Sequence, residues 1–213
     1  MAAILSLPEQ KVILKSVSWE TYERLLVERG DSSGTRFTYD RGMLEIMVLS
    51  VEHERLKHTI ATLVELAAEE LGIDVDGVGS TTFRREELAR GFEGDACFYV
   101  QNRDRVAGKS RIDLAEDPPP DLVIEIDITS PSVDKLPVLE AMGVPEVWRY
   151  DGSRLTVLRL VSGAFVAARE SGALPGVTGD AVERLLEESK NLKRTAWVRR
   201  VREWARALQT KDN

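Results

Sequence analysis

The stretch from Asp121 to Ile128 constrains the fold most, because it alternates apolar and acidic residues with the two-residue period of a β-strand. One face of this predicted strand is apolar and consists of Leu122, Ile124, Ile126 and Ile128. The other face carries Val123 and three carboxylates, Asp121, Glu125 and Asp127. Carboxylates that follow one another at about 7 Å on a strand face repel unless water or a cation lies among them. Two interpretations therefore stay open, an exposed strand face and a site for a divalent cation.

The length of 213 residues predicts one domain with an appendage, and we place the domain at residues 1–178 and a C-terminal amphipathic helix at 179–213. A hydrophobic fraction of 43% is enough to build a core. The net charge of -7 argues against a chain coated with nucleic acid, but it allows a local basic groove or an acidic site neutralised by metal. A single cysteine, Cys97, excludes an internal disulfide framework and a cysteine-based zinc cage.

The sequence gives no indication of a membrane segment. No apolar run approaches the ~20 residues of a membrane span. The apolar patch at residues 2–8 lacks the preceding basic region and the cleavage site of a signal peptide. We therefore expect a cytoplasmic protein without a membrane partner.

A long helix is predicted over residues 51–71, and Gly72 ends it. Its apolar stripe consists of Leu56, Ile60, Leu63, Val64, Ala67 and Leu71. Glu52 and His53, in the first turn, fall close to this stripe at helical spacing, so both are expected to lean inward. The plainer interpretation, which we favour from these residues alone, is that Glu52 interacts with the helix dipole and His53 packs in the core.

Two further polar residues begin predicted elements. Asp95 opens the apolar run of a strand, where an aspartate is either a turn residue or a site residue, and the turn residue is the commoner case. Lys135 follows Asp134, a predicted N-cap, and therefore lies at the positive end of a helix, where the dipole mildly disfavours a cation.

The final helix, predicted from Ala181 to Leu208, is acidic in its first half and basic in its second. The basic half carries an apolar stripe of Trp197, Val201, Trp204 and Leu208. We favour packing or dimerisation through this stripe over contact between its arginines and nucleic acid.

Glu52, Asp95, Glu125 and Lys135 together are the residue types that metal-dependent phosphodiester hydrolysis needs. Carboxylates hold Mg²⁺ while several of its waters remain. The metal lowers the pKa of a bound water and neutralises the charge that develops on phosphorus. A lysine can orient or deprotonate the nucleophile, or stabilise the transition state.

The order of an aspartate, then a glutamate on a neighbouring strand with a lysine beyond it, resembles the PD-(D/E)XK nuclease superfamily. More closely, the chain resembles the Uma-two family of restriction endonucleases. Five segments, spread over roughly residues 36 to 152, carry this resemblance, and their order and number make it more specific than a single short motif. They are RFTYDRGMLEIM, EHE, EGDACFYV, PDLVIEIDITSPS and DKLPVLEAMGVPEVWRYDG.

The resemblance implies that Asp95 and Glu125 bind the metal together with the backbone carbonyl of Ile126, and that the metal is Mg²⁺, with Mn²⁺ as a substitute. Glu52 matches the family's helix glutamate and is expected to bind a second metal or to support the first. In the Uma-two pattern the lysine lies in the following helix, where Lys135 stands. The small dipole cost there fits a lysine that is kept for its site.

Two positions depart from the superfamily pattern. Gly94 replaces the proline that usually precedes the aspartate, and we expect this to be tolerated because that residue contributes only backbone shape. Asp127 occupies the usual place of the lysine, on the site face, where it can hold Lys135 by an ion pair. Asp121 is as well explained by the start of the strand as by the site. We assign Asp127, His53 and Asp121 as supporting residues.

The resemblance implies an α/β fold of the restriction-endonuclease-like kind, with a mixed β-sheet core flanked by helices and a C-terminal helix. It also implies a Mg²⁺-dependent DNA endonuclease that acts as a homodimer, since one such site cuts one strand. The residues themselves support only metal-assisted hydrolysis. One alternative is a non-catalytic scaffold that uses the nuclease fold for binding or regulation, which the joint presence of Asp95, Glu125 and Lys135 argues against. A hydrolase of another phosphodiester, such as RNA, is the other.

Overall fold

The computed structural model describes residues 10–30, 34–128 and 134–209. The helices are α1 (Trp19–Arg29), α2 (Val51–Leu71), α3 (Arg103–Val106), α4 (Leu136–Met142), α5 (Gly179–Asn191) and α6 (Arg194–Gln209). The first strands are β1 (Gln10–Leu14), β2 (Thr35–Asp40), β3 (Met43–Val48), β4 (Asp76–Gly79), β5 (Thr82–Arg85) and β6 (Arg90–Glu93). The later strands are β7 (Ala96–Tyr99), β8 (Leu122–Ile126), β9 (Glu146–Tyr150), β10 (Leu155–Val161) and β11 (Ala164–Ala168). The apolar N-terminal patch and residues 210–213, the last ones of the predicted C-terminal segment, lie outside the described residues.

A six-stranded mixed sheet carries the acidic strand at its centre. Its strand order is β11-β10-β9-β8-β7-β4. β8 and β9 run parallel and are joined through α4, whereas the other neighbours are antiparallel. The predicted α/β fold with a mixed sheet and flanking helices is confirmed.

A second, five-stranded sheet with the order β1-β3-β2-β6-β5 is antiparallel throughout. Its β2–β3 hairpin turns at Arg41 and Gly42, both of which have positive φ, as a two-residue turn between twisted strands requires. The chain passes from this sheet into the six-stranded sheet between β6 and β7. Asp95 lies at that crossing point.

The two faces of β8 enter different parts of the core. Leu122, Ile124 and Ile126 pack beneath α2, α5 and α6, so the predicted apolar face is confirmed. Val123, on the other face, packs with Cys97 and with Val138 and Leu139 of α4. Glu125 therefore emerges from a strand that is covered on both sides.

The single C-terminal helix predicted from Ala181 to Leu208 is wrong, because the chain breaks between α5 and α6 at Leu192, which is extended (φ -100, ψ 147). The break lets α6 fold back, so that the indole N–H of Trp197 donates to the carbonyl of Leu185 at 2.7 Å. In a continuous helix these two residues would be about 18 Å apart along the axis. Burial of the tryptophan on the shared core explains the turn.

Candidate active site

Asp95 is fully buried, at 0% exposure, and is bonded to the end of β8. Its backbone N–H donates to the carbonyl of Ile124 at 3.1 Å, and its Oδ2 accepts the N–H of Ile126 at 2.8 Å. Because β8 holds both the backbone and the side chain of Asp95, the Asp95 carboxylate has a defined position close to Glu125 of that strand.

Glu125 and Lys135 form a buried ion pair. Lys135 Nζ lies 2.6 Å from Glu125 Oε2, and the two side chains are 10% and 3% exposed. Lys135 is the cap residue of α4, and the Asp134 carboxylate accepts the N–H of Leu136 at 3.1 Å. The prediction of Asp134 as the N-cap is therefore wrong by one residue, because the cap position is that of Lys135. This helix start brings the lysine to the strand that carries Glu125.

Burial raises the pKa of Glu125 to about 7; Lys135 opposes this shift, and the charge of Asp95 adds to it. Burial alone would lower the pKa of Lys135, but the charges of Glu125 and Asp95 outweigh burial and raise it. Burial would likewise raise the pKa of Asp95, but the hydrogen bond with His53 and the charge of Lys135 hold it below its ordinary value. At neutral pH the site thus contains an ionised aspartate and a protonated lysine beside a glutamate whose pKa burial raises.

The second oxygen of Glu125, Oε1, is buried and has no hydrogen-bond partner among the residues that the structure describes. A buried carboxylate oxygen without a donor is costly, and a hard cation is a partner that can compensate it. Asp95 and Glu125, with the backbone carbonyl of Ile126 beside them, offer oxygen donors of the kind that Mg²⁺ prefers. No three His, Cys, Asp or Glu side chains converge as a metal cage in the part of the chain that the structure describes. The fit to Mg²⁺ therefore depends on these two carboxylates, in keeping with an ion that retains waters.

His53 is buried in the first turn of α2, as predicted, and its ring Nε2 lies 2.8 Å from Asp95 Oδ1. The backbone N–H of His53 also donates to Ser50 Oγ at 3.1 Å, which caps the N-terminus of α2. The same residue thus bonds to the helix cap through its backbone and to Asp95 through its ring. The start of α2 is thereby fixed against the buried aspartate.

Glu52 does not lean inward, so this prediction is wrong: its side chain is exposed. Successive helix residues project about 100° apart, and with His53 directed at Asp95 the preceding residue turns toward solvent. Its charge acts on Lys190 of α5, whose pKa is raised first by a hydrogen bond with Glu187. A role for Glu52 as a metal ligand stays a prediction.

Asp127 does not pair with Lys135. Arg149 Nε donates to Asp127 Oδ2 at 2.7 Å, while the lysine goes to Glu125. The parallel register of β8 and β9 sets Arg149 opposite Glu125 and therefore beside Asp127. Sequence reasoning overlooked Arg149, because its proximity depends on a strand pairing that residue spacing does not show. Asp127 nevertheless adds to the raised pKa of Glu125, which is mainly due to burial, and to that of Lys135, to which the charges of Glu125 and Asp95 contribute more. Asp127 therefore shares their surroundings.

Asp121 has a local role at the other end of β8. Its carboxylate accepts the N–H groups of Val100 and Asn102 at 2.8 and 2.9 Å, and the side-chain amide of Asn102 at 2.6 Å. Four residues of strand, about 13 Å, separate it from Glu125. The structure does not bring Asp121 into the buried group, and of its two interpretations the strand start is the one that the contacts match.

Gly94 is required by packing and not only by backbone shape. A Cβ at this position would lie 2.8 Å from both Cys97 Sγ and Val123 Cγ1. Such distances are shorter than van der Waals contact between buried atoms, which have little room to move. The expectation that the exchange of proline for glycine is neutral is therefore incomplete, because this core leaves no space for a side chain before Asp95.

The basic half of α6 packs on the domain, as we favoured. Trp197 and Val201 are buried. Arg202 donates to Glu69 and Glu70 of α2 at 2.8 and 2.6 Å, and Arg206 donates to Glu70 at 2.6 Å. These glutamates neutralise arginines that the sequence presents as a basic strip.

The described helices include none that is long and apolar enough to cross a membrane. No curated protein matches the chain. The family model Uma2, described as "Putative restriction endonuclease", matches residues 19–187. That range contains the buried group of Asp95, Glu125 and Lys135, as well as β2 to β11 and α1 to α4. The chain belongs to the Uma2 family.

Proposed function

We propose that this protein is a Mg²⁺-dependent endonuclease that hydrolyses DNA phosphodiester bonds, and that Mn²⁺ can replace Mg²⁺. The observation that carries the proposal is the buried Oε1 of Glu125, which lacks a hydrogen-bond partner among the described residues. It belongs to a carboxylate that is ion-paired with Lys135 through Oε2 and is close enough to Asp95 for that charge to raise its pKa. Membership of the Uma2 family, whose model is described as a restriction endonuclease, supports DNA as the substrate.

Asp95, Glu125 and the carbonyl of Ile126 would hold the metal. When bound, Mg²⁺ supplies a water of lowered pKa and neutralises negative charge on the phosphate. The lowered pKa of Asp95 keeps this ligand ionised, and its bonds with His53 and Ile126 orient it. Glu125, with a pKa of about 7, gives up its proton readily when a cation stabilises the carboxylate.

Lys135 acts as a donor in this proposal. Glu125 and Asp95 outweigh the effect of burial and raise its pKa, so its ammonium group is protonated at neutral pH. A protonated lysine can orient a nucleophile and stabilise developing negative charge, but it cannot accept a proton. Of the roles open to this residue, charge stabilisation fits its surroundings best.

The exposed Glu52, at the start of α2, is the residue we assign to a second metal or to support of the first. We further propose a homodimer, since one such site cleaves one strand and a double-strand break needs two. The C-terminal helices are not required to contact DNA, because α6 arginines already bind glutamates of α2.

The test is incubation of the purified protein with plasmid DNA, single-stranded DNA and RNA in Mg²⁺ or Mn²⁺. We expect wild type to nick or linearise the plasmid, while Asp95→Asn and Glu125→Gln do not. Calorimetry with Mg²⁺ on wild type and Asp95→Ala measures the metal site without turnover. Equal heats from both proteins would contradict the metal site, inactivity on all three polymers would favour a non-catalytic scaffold, and cleavage of RNA alone would change the substrate.

A further inference from the structure

Arg149, on β9, places a second positively charged side chain on the same sheet face as Glu125. It stands opposite Glu125 in the parallel register of β8 and β9. Its Nε is bonded to Asp127 Oδ2 at 2.7 Å. The side chains of Arg149 and Asp127 are 35% and 19% exposed, so this pair lies nearer to solvent than Glu125 and Lys135.

The guanidinium group of Arg149 is held at one nitrogen and open at the others. Its Nε is occupied, and its two terminal nitrogens have no hydrogen-bond partner among the residues that the structure describes. Two terminal N–H groups in a planar fork match two oxygens of a phosphate. The ion pair with Asp127 thus fixes the direction of a group whose phosphate-binding edge stays accessible.

The charges of the site also call for such a group. Asp95, Glu125 and Asp127 together exceed the single positive charge of Lys135, and Lys135 is committed to Glu125. A polyanionic strand that approaches three carboxylates is repelled unless cations lie at its path. Arg149 compensates the charge of Asp127 on this face and directs its terminal N–H groups to where a phosphate can approach, without entering the buried pair.

We propose that Arg149 binds a backbone phosphate of the substrate strand beside the scissile bond, and that Asp127 is the positioning residue that holds its guanidinium. The inference rests on the proposed nuclease function and adds a substrate contact to it. It also explains the aspartate two residues after Glu125, because the Asp127 carboxylate holds the guanidinium of Arg149 from the neighbouring strand.

The test measures the affinity of a short DNA duplex across a range of salt concentrations, with Ca²⁺ in place of Mg²⁺ so that a hard cation is present. Each phosphate contact that a cation makes contributes about 0.9 to the slope of log affinity against log salt. Arg149→Gln should reduce the slope by about 0.9. Arg149→Lys keeps the charge and should keep the slope, but it loses the fork and should lower kcat. Arg103→Gln is the matched control, because it removes an arginine that pairs with Asp104 in α3, and it should leave the slope unchanged.

Asp127→Asn separates positioning from binding. Loss of a negative charge should leave affinity for DNA equal or tighter, whereas the loosened guanidinium should lower kcat roughly tenfold, on the scale of misplaced substrate contacts. Thermal melting confirms that each variant is folded before its slope is interpreted.

An unchanged slope in Arg149→Gln, in a background where wild type cleaves DNA, overturns the phosphate contact and leaves the proposed function intact. An unchanged kcat in Asp127→Asn overturns the positioning role. Wild type that neither binds nor cleaves a nucleic acid overturns the nuclease function itself, and this inference with it.

Discussion

Lys135 Nζ and Glu125 Oε2 lie 2.6 Å apart although ten positions separate the two residues in the chain. The lysine comes from the cap of α4. Position 127, just after β8, where the superfamily pattern has its lysine, holds an aspartate. The buried pair therefore joins two elements, and its two members can be tested separately.

Lys135→Met should lower nuclease activity by about a hundredfold or more, since it removes the cation that stabilises the negative charge developing in the transition state. It should also lower the free energy of unfolding at pH 8 by about 3 kcal/mol, because Glu125 is then left buried without its partner. Urea unfolding measures the second effect. Lys190→Met, which breaks an exposed pair with Glu187, is the control and should change stability by less than about 1 kcal/mol. A matching loss in the control would argue against a special role for the buried pair.

The metal-free protein should lose stability as the pH rises from about 4.5 to about 7. Glu125 has a pKa raised from 4.5 to about 7, so it binds a proton more tightly in the folded state, and its contribution is fully present below the unfolded value and lost through the folded one. Asp95, whose pKa is lowered, contributes stability that is lost only as the pH falls below its ordinary value of 3.8. Thermal melting in a chelator follows the change.

Glu125→Gln separates the contribution of Glu125 from those of other titrating groups. In this variant the melting temperature should depend less on pH between about 4.5 and about 7. Mg²⁺ should raise the melting temperature of wild type more at pH 8 than at pH 5.5, because the cation competes with a proton for the carboxylate. Equal stabilisation at both pH values would contradict Glu125 as a ligand.

Gly94→Ala should lower the free energy of unfolding by about 1–3 kcal/mol, since its new methyl group meets Cys97 and Val123 at 2.8 Å. Val123→Ala in the same chain should recover part of that loss, which a double-mutant cycle in urea would reveal as coupling. Gly34→Ala is the comparison, because a Cβ there meets nothing within 4 Å, and it should cost little. Additive losses at positions 94 and 123 would refute the clash.

Asp121→Ala should destabilise the fold by about 2 kcal/mol or more, since three buried or half-buried donors lose their acceptor. The folded fraction should still bind Mg²⁺ with wild-type affinity, because this carboxylate lies far along β8 from Glu125. Calorimetry at low temperature, with the folded fraction measured by circular dichroism, tests both statements. A large loss of metal affinity would place Asp121 in the site after all.

Residue periodicity predicted the elements that surround the site. The alternation from Leu122 to Ile128 predicted β8 and its apolar face, and the apolar stripe from Leu56 to Leu71 predicted α2. The four-residue strands β4 and β6 were not predicted, because DGVG and RGFE are too short and too polar to show a period. Their formation depends on pairing with β7 and with β2 and β5.

Asp95, Glu125 and Lys135 could be predicted because their types and order match a family pattern, whereas contacts that no such pattern records could not. Asp95, Glu125 and Lys135 were chosen from the sequence, and the structure brings them together. The pairing of Asp127 with Arg149 depends on strand register, and the outward direction of Glu52 depends on where His53 points. Residue spacing along one chain contains neither kind of information.

Because α6 folds back, the C-terminal segment packs against the apolar face of β8, the strand that carries Glu125. Trp197 and Val201 share a core with Leu122 and Ile124, the side of β8 opposite to Glu125. A chain shortened at residue 178 would leave that side open to water, and the strand that holds the carboxylate would lose its backing. What the sequence presents as an accessory tail is thus part of the core that supports Glu125, and removing it should destabilise the candidate site itself.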